Sequence, residues 1–321
     1  MIVITGAAGF IGSVLVAALN SRGENRLILV DDLDRTEKWK NLVGKRFEDY
    51  LDKDQFLAAI SQGKFSECRA VFHLGACSST TEKDANFLMQ NNYRYSRTLA
   101  EWCLKQNIRL IYASSAATYG AGEHGFSDTS PLINLAPLNM YGFSKQLFDL
   151  WAEQSGALKK ITGLKFFNVF GPNEYHKGEM TSVIYKAFHQ VRAGKPMSLF
   201  KSYREDFTNG EQKRDFIYVR DCADIMLWLL DNKNVSGLFN IGTGKARSWN
   251  DLAAAVFSAL KLPTQINYID MPEEMRAKYQ YFTEATVSKL HGAGYKKPFT
   301  SLEDATIDYV QNFLSKDEKR L

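Results

Sequence analysis

The chain has few cysteines and no long hydrophobic run. Its four cysteines, Cys68, Cys77, Cys103 and Cys222, are too scattered for a disulfide scaffold or a metal site, and this usage favours a reducing, cytoplasmic compartment. No uninterrupted apolar run reaches the length of a membrane span, so no membrane partner is expected. No charged segment precedes the first apolar residues, so no targeting peptide is visible.

The chain also lacks a large excess of either positive or negative charge. The chain has 40 basic and 36 acidic residues, a net charge of +4, and no dominant basic block, which argues against a nucleic-acid partner. Residues Lys316 to Arg320 include Asp317 and Glu318 and are predicted to form a solvated tail. With 45% hydrophobic and 24% charged residues over 321 positions, the composition is that of a globular protein of one large or two ordinary domains.

The first dozen residues carry the strongest signal. Met1 to Ile4 predict a short buried strand, and Gly6, Gly9 and Gly12 follow, with a helical apolar pattern beginning at Phe10. Gly6 permits a tight turn, Gly9 leaves room for phosphates, and Gly12 lets the helix pack on the strand. Backbone N–H groups and the positive helix end can then approach a pyrophosphate.

A carboxylate stands at the spacing that a dinucleotide ribose requires. A second strand, Arg26 to Val30, is followed by Asp31, which lies 19 positions after Gly12. The expected spacing of the ribose-binding acid is about 20 residues. The alternative is an ordinary strand-to-helix turn, but the context on both sides favours a dinucleotide-binding unit over residues 1–32.

Polar and small residues follow the next strands. Strand Ala70 to Leu74 leads into Gly75–Thr80, and strand Arg109 to Ala113 leads into Ser114–Gly120. Such segments fit the crevice at the carboxyl ends of a parallel sheet, where ligands bind. Asn91, on a helix predicted from Phe87 to Leu104, is a ligand or simply a solvated polar residue.

Tyr141 and Lys145 share one face of a predicted helix, because they are four residues apart. Further strands are predicted at Ile161 to Val169 and at Lys213 to Val219, the latter returning to the nucleotide-binding half. The sequence thus predicts an α/β fold, a doubly wound parallel sheet (Rossmann fold) with a smaller, partly interleaved C-terminal substrate lobe. We assign residues 1–167 and about 215–242 to the first domain, and 168–214 and about 243–321 to the lobe.

In combination these residues resemble the extended short-chain dehydrogenase/reductase family, and within it the nucleotide-sugar epimerases that act on an ADP-sugar. The matching elements are the glycine turn, Asp31, Gly75–Thr81, Ser114–Gly120, Tyr141-x-x-x-Lys145, Phe166–Pro172, His176–Gly178, Arg214–Val219 and Tyr279–Thr283. The resemblance implies a homo-oligomeric isomerase with a retained pyridine nucleotide.

The implied chemistry begins with an alcohol that gives up hydride only as its O–H proton is removed. A tyrosine does this poorly at its free pKa of about 10. A lysine cation and a positive nicotinamide favour the phenolate, so Tyr141 is the expected base, with Lys145 also binding the nicotinamide ribose. Ser115 is expected to hold the reacting oxygen.

Epimerisation requires the hydride to return to the opposite carbonyl face. The oxygen then lies away from Tyr141, and the resemblance assigns the second proton transfer to Lys177, whose pKa burial can lower. Taken alone, Lys177 beside Gly178 is a surface-loop lysine; the surrounding His-Lys-Gly match favours the catalytic role.

The resemblance also implies a cofactor site. Its residues are Gly6, Gly9, Phe10, Ile11, Gly12, Asp31, Asp32, Lys38, Lys53, Leu74, Gly75, Ala76, Cys77, Ser78, Asn91, Lys145, Val169 and Lys177. Asp31 suits the ribose hydroxyls of NAD, and Asp32 opposes a 2′-phosphate, whereas Lys38 and Lys53 match the family's phosphate-side lysines. NADP is preferred, with NAD possible. Leu74 replaces a carboxylate that the family carries there.

The implied substrate residues are Ser115, Asn168, Glu179, Lys186, Phe200, Lys201, Ser202, Arg214 and Tyr279. Arg214 suits a bidentate diphosphate contact, the alternative being a salt bridge with a nearby acid. The family tends to carry histidine at Lys186 and a small residue at Glu179.

Other functions stay open at this stage. A UDP-sugar 4-epimerase shares Tyr141 and Lys145. A 4,6-dehydratase needs an acid pair where this chain has Ala116 and Ala117. A redox-sensing binding module usually lacks the tyrosine and lysine pair.

Overall fold

The central element is a seven-stranded parallel sheet. In a computed structural model, which describes residues 1–276 and 279–321, the strand order is β10-β6-β5-β4-β1-β2-β3. The strands are β1 (Ile2–Thr5), β2 (Leu27–Asp31), β3 (Asp49–Asp52), β4 (Ala70–His73), β5 (Arg109–Ser115), β6 (Thr162–Phe166) and β10 (Gly237–Ile241). The order reverses between β1 and β4, which is where ligands bind in such sheets. The predicted doubly wound fold is confirmed.

Helices cover both faces of this sheet and also pack outside it, against the smaller sheets. They are α1 (Phe10–Ser21), α2 (Lys53–Ser61), α3 (Ala85–Leu88), α4 (Tyr95–Lys105), α5 (Met140–Gln154), α6 (Val183–Arg192), α7 (Val219–Asp231), α8 (Trp249–Ala259), α9 (Glu273–Arg276), α10 (Ser288–Gly292) and α11 (Leu302–Asn312). Successive β1 residues point to opposite faces, so Ile2 and Ile4 pack with α1 and α7, and Val3 with α4 and α5. None of the described helices is long and apolar enough to cross a membrane.

The helix predicted from Phe87 to Leu104 is interrupted. Residues Met89–Arg94 form a π-helical turn between α3 and α4, so the helix widens at the segment that carries Asn91. Such turns occur often at functional sites. The widened turn presents Asn91 towards the sheet's ligand-binding edge, where it lines a cavity.

Two smaller sheets lie outside the main one. One contains β7 (Asn168–Phe170), β9 (Lys213–Tyr218) and β11 (Ala246–Ser248), and the other β8 (Met197–Phe200) and β12 (Ile266–Ile269). The segment starting at Lys213 was predicted to return to the nucleotide-binding half; its strand β9 pairs with β7 and β11 and not with a strand of the large sheet. The return is made by the next elements, α7 and β10.

Two further predictions need correction. The strand predicted from Ile161 to Val169 is broken at Phe167, where the chain passes from the large to a small sheet. The tail Lys316 to Arg320 is not simply solvated: Arg320 is half-buried, and its Nε donates to Asn41 Oδ1 at 3.0 Å.

Candidate active site

The glycine turn forms a close backbone cradle. Gly6 has a φ of +68°, and a Cβ there would lie 2.6 Å from the Gly75 nitrogen. A Cβ at Gly12 would lie 2.1 Å from the Gly6 oxygen, so only glycine lets α1 pack this tightly on the turn. The first N–H groups of α1 therefore stand at the carboxyl end of β1, in the arrangement that binds a diphosphate.

A cavity of about 250 Å³ adjoins this turn. Of the predicted cofactor residues, those lining it are Gly6, Asp31, Asp32, Lys38, Lys53, Gly75, Ala76, Cys77 and Asn91. Lining residues that the sequence analysis missed are Thr5, Val30, Asp34, Thr36, Phe87 and Tyr95. Most of them lie at or just after the ends of strands that the sequence analysis identified, so proximity to a strand end is the signal that could have found them. The cradle and cavity fit the adenosine and diphosphate of a dinucleotide.

The remaining predicted cofactor residues lie elsewhere. Phe10, Ile11, Leu74 and Val169 pack against the hydrophobic core. Residues that do not line the cavity also include Gly9, Gly12, Ser78, Lys145 and Lys177. Leu74, which replaces a family carboxylate, thus contributes packing rather than charge.

Two lysine–aspartate pairs occupy the adenosine end of the cavity. Lys38 Nζ lies 2.8 Å from Asp31 Oδ1, while Asp31 Oδ2 accepts the Ala8 N–H at 2.8 Å. Lys53 Nζ lies 2.8 Å from Asp32 Oδ2, and this contact lowers the pKa of Asp32. Each carboxylate therefore has a lysine partner where a ribose or its phosphate would bind.

The structure brings Tyr141, Lys145 and Ser115 together at the end of β5. Lys145 Nζ donates to the Ala113 carbonyl at 3.0 Å, and burial lowers its pKa to about 8. Burial also raises the pKa of Tyr141, whereas the Ser115 hydroxyl, hydrogen-bonded to the phenol, opposes that rise. Burial therefore favours the uncharged forms of both side chains, the phenol of Tyr141 and the amine of Lys145.

A buried ion pair lies one helical turn beyond Lys145. Asp149 on α5 and Lys165 on β6 are 3.2 Å apart, with no exposure of either side chain. Tyr112 and Ser114 of β5 donate to the same carboxylate at 2.9 and 2.6 Å. This network, which the sequence analysis missed, fastens the helix that carries Tyr141 and Lys145 to the central strands.

Removing one member of this pair should be costly. Lys165→Met leaves Asp149 buried without its cation, and we expect the free energy of unfolding to fall by about 3–5 kcal/mol. Denaturant unfolding of Lys165→Met and of the control Lys160→Met, at an exposed lysine, would measure this. A loss of equal size in both variants would contradict the assignment.

His73 is a neutral buried link at the end of β4. Its two ring nitrogens lie 2.7 Å from Thr5 Oγ1 and 2.7 Å from Ser96 Oγ. Burial lowers the pKa of His73 to about 3, and the nearby Lys145 cation contributes. The ring therefore joins β1, β4 and α4 without carrying charge.

The depressed pKa of His73 predicts acid sensitivity. The unfolded chain takes up the imidazole proton below about pH 6.5, while the folded protein does so only near pH 3, because burial lowers the pKa of His73 to about 3. From about pH 6 to about pH 4, wild-type stability should therefore fall by about 1.4 kcal/mol per pH unit more steeply than that of His73→Gln. Parallel unfolding curves against pH for the two proteins would contradict this.

Lys177 lies beside the glycine turn rather than on an open surface loop. Its Nζ is 5.6 Å from the centre of the Phe10 ring, at the start of α1. Burial lowers the pKa of Lys177, and the Glu174 carboxylate opposes that shift. Next to it, burial and the Lys177 and Lys38 cations lower the pKa of His176 to about 4.

A second cavity, of about 550 Å³, opens beside Asn139, the N-cap residue of the helix that carries Tyr141. Its lining residues are Thr80, Ala117, Gly120, Leu138, Asn139, Arg214, Glu274, Met275, Tyr279 and Gln280. Of these, Arg214 and Tyr279 were predicted, and the others come from loops whose association the sequence does not reveal. The volume suits a small-molecule ligand.

Arg214 is a basic group in the lining of this cavity, which also includes the acidic Glu274. Its guanidinium is buried, donates to the Lys213 carbonyl at 2.9 Å, and lies 5.3 Å from the Tyr279 ring centre. Burial lowers the pKa of Arg214. Within residues 1–276 and 279–321 the guanidinium forms no ion pair, so the salt-bridge alternative is not observed.

The other predicted substrate residues do not line either cavity. Asn168 donates to the Asp215 carbonyl at 3.1 Å, and the Phe200 ring lies 6.3 Å from that of Tyr279. Further pairs are Glu179 with Lys186 at 3.3 Å, Lys201 with Asp270 at 3.1 Å, and Ser202 with the Arg204 carbonyl at 3.0 Å. Asn168, Glu179 and Lys186 are exposed, and Phe200, Lys201 and Ser202 are half-buried.

The chain is similar to known proteins over its full length. An ADP-L-glycero-D-manno-heptose-6-epimerase of Nitratidesulfovibrio vulgaris is 54% identical over 323 residues, covering 100% of both chains. The crystal structure of the Helicobacter pylori enzyme of that name has a TM-score of 0.82 and 28% identity, over 97% of this chain and 95% of the other.

A UDP-N-acetylglucosamine 4-epimerase from Methanobrevibacter ruminantium has a similar fold, with a TM-score of 0.83 and 26% identity over 98% of each chain. The model of the NAD dependent epimerase/dehydratase family matches residues 2–242. This chain belongs to the NAD dependent epimerase/dehydratase family.

Proposed function

We propose that the enzyme inverts C6 of the heptose in ADP-D-glycero-β-D-manno-heptose, giving ADP-L-glycero-β-D-manno-heptose. The carrying observation is the 54% identity, over the full length, to a relative of that named activity. Two further observations support it. Tyr141, Lys145 and Ser115 lie together, and the cavity around Arg214 opens beside the N-cap of the helix that carries Tyr141. Such a product is a precursor for lipopolysaccharide cores.

Tyr141 acts as the first base. Its phenolate takes the proton of the C6 hydroxyl, the Ser115 hydroxyl holds the same oxygen, and the Lys145 cation favours the phenolate. A bound pyridine nucleotide supplies a hydride acceptor and donor. Lys145 is fixed for its role by the Ala113 carbonyl and by the packing of α5.

Lys177 acts on the other side of the reacting carbon. Once the 6-keto sugar has turned over, its oxygen faces away from Tyr141, and a second donor must supply the proton. Lys177 suits this role because burial lowers its pKa towards neutrality and its Nζ lies beside the turn that holds the nucleotide. In the reverse direction, the same amine removes the proton.

Arg214 and Tyr279 bind the ADP moiety. Among the residues that the structure describes, the buried Arg214 guanidinium has no ion-pair partner, which suits a diphosphate because the ligand then supplies the negative charge. The remaining proposed contacts are Asn168, Glu179, Lys186, Phe200, Lys201 and Ser202, which closure of the lobe around the sugar would bring to the ligand. We assign residues 168–214 and about 243–321 to this lobe, and residues 1–167 and about 215–242 to the nucleotide domain.

The retained nucleotide is proposed to be NADP. Lys38 and Lys53 stand where a 2′-phosphate would lie, and each can exchange its aspartate partner for that phosphate. Heat-released nucleotide from purified enzyme should be NADP, and apo-enzyme should regain more activity with NADP⁺ than with NAD⁺. Release of NAD⁺ and NADP⁺ in equal amounts, or equal recovery of activity with the two nucleotides, would overturn the choice.

We also propose that the enzyme is a homo-oligomer in the cytoplasm, on the family resemblance and the four free cysteines.

Assays with two candidate substrates test the proposal. The enzyme is incubated separately with ADP-D-glycero-β-D-manno-heptose and with UDP-galactose, and configuration is read by NMR. We expect inversion at C6 of the first and none at C4 of the second. Turnover of UDP-galactose alone would identify a UDP-sugar 4-epimerase instead.

A further inference from the structure

The last four residues bind to the segment that carries Lys177. Glu318 accepts a hydrogen bond from the Tyr185 hydroxyl at 2.5 Å, on α6 just beyond that segment. The Lys319 carbonyl accepts from the Tyr175 hydroxyl at 2.9 Å. We call residues 318–321 the C-terminal strap, because they contact both the Lys177 segment and the helix that follows it.

The strap reaches the glycine turn through the Asn41 side chain, and its Leu321 N–H also donates to Asn173 Oδ1 at 3.0 Å. Arg320 Nε donates to Asn41 Oδ1 at 3.0 Å. The Asn41 Nδ2 group donates to the carbonyls of Ala8 and Asn173, both at 3.0 Å, and lies 3.3 Å from His176 Nδ1. Since Asn41 is only 1% exposed, these contacts are not readily replaced by water.

The two ends of the Lys177 segment are held together by one carboxylate. The buried Glu174 carboxylate accepts the Ser182 hydroxyl at 2.7 Å and the Gly171 N–H at 3.3 Å. Between these ends, Gly178 departs from helical geometry with a φ of +53°, directly after Lys177. The direction of the Lys177 side chain therefore depends on how residues 173–176 are held against the turn.

We propose that Asn41 and Arg320 are positioning residues, which hold Lys177 in place for the second proton transfer. Neither side chain has a role in the chemistry itself. The inference rests on the proposed function, because it assumes that Lys177 acts on the reacting sugar. It predicts a defect on one side of the site only, since the group around Tyr141 lies on α5 and β5, away from the strap.

The test is single-turnover reduction of the enzyme-bound nucleotide, followed by absorbance, with each heptose epimer separately. The D-glycero epimer is deprotonated by Tyr141 and the L-glycero epimer by Lys177. In Arg320→Ala and Asn41→Ala we expect the rate of reduction by the L-glycero epimer to fall roughly tenfold to a hundredfold, because a small misplacement of Lys177 has an effect of that size. In the same two variants, the rate of reduction by the D-glycero epimer should change by less than about twofold.

Three controls make the result decisive. Lys319→Ala removes a side chain but keeps the backbone carbonyl that accepts from Tyr175, so this variant should behave as wild type. The double variant Asn41→Ala/Arg320→Ala should be no slower than Asn41→Ala, because both act at one junction. Retained nucleotide, measured after heat release, should match wild type. Equal slowing with both epimers, or additive losses, would overturn the proposal.

Hydrogen exchange gives a readout independent of the reaction. In Arg320→Ala, backbone amides of residues 173–178 should exchange faster than in wild type, and those of β5 should not change. Unchanged exchange in residues 173–178 would overturn the proposal. If wild-type enzyme reduced its nucleotide with neither heptose epimer, the proposed function would fail, while the exchange result would still decide whether the strap holds the segment.

Discussion

Replacing Tyr141 with phenylalanine is expected to slow epimerisation by about 10²- to 10⁴-fold while the fold stays intact. The variant keeps the aromatic ring but loses the hydroxyl that accepts the C6 proton. Lys145 and Ser115 then surround a group that cannot ionise. Steady-state kcat with ADP-D-glycero-β-D-manno-heptose measures the effect, with retained nucleotide and thermal stability measured on the same preparation.

A matched substitution separates chemistry from packing. Tyr295→Phe removes a hydroxyl from another buried tyrosine, one that packs on Trp228 of α7. Its kcat should stay within about twofold of wild type, because it touches nothing at the site. Similar kcat values for Tyr141→Phe and Tyr295→Phe would remove Tyr141 from the mechanism.

Replacing Lys177 with methionine is expected to have the second-largest effect, a loss of about 10²- to 10³-fold in overall epimerisation. Methionine fills much the same volume beside Phe10 but cannot transfer a proton. In single turnovers the D-glycero epimer should still reduce the bound nucleotide, whereas the L-glycero epimer should not. Absorbance of the reduced nucleotide, recorded with each epimer, measures both arms.

The control for this variant is Lys195→Met, which changes an exposed lysine at the end of α6 by the same substitution. It should leave both single-turnover rates unchanged. Unimpaired turnover of Lys177→Met, or equal impairment with both epimers, would assign the second proton transfer to another group.

The features predicted well from the sequence are those encoded by neighbouring residues. The glycine turn follows from Gly6 and Gly12, whose positions leave no space for a Cβ. Tyr141 and Lys145 share a helix face because of their spacing, and the strand before Ser115 sets the end of that helix against the sheet.

The features that the sequence did not reveal depend on contacts between distant residues. The pair Asp149 and Lys165 is invisible locally, since each alone is an ordinary charged residue. The strand starting at Lys213 pairs outside the large sheet because β7 and β11 offer it partners, which its apolar pattern cannot show. The tail was predicted to be solvated because its charges suggest a surface, yet Arg320 finds Asn41, 279 positions earlier.

The second cavity is the clearest case of such dependence. Arg214 and Tyr279 were predicted from the resemblance, but Asn139, Glu274 and Gln280 join them only through the folding of separate loops. No periodicity connects these loops, and their side chains are of types common at any surface. Substrate contacts are therefore less predictable from the sequence than cofactor contacts, which follow successive strand ends.

The most direct test of the account follows one hydrogen atom. ADP-D-glycero-β-D-manno-heptose carrying deuterium at C6 is epimerised in ordinary water, and the product is examined by NMR and mass spectrometry. We predict inverted configuration at C6 with the deuterium still attached, because the hydrogen leaves and returns without exchange with solvent. Inverted product that has lost its deuterium to water would contradict transient oxidation at C6.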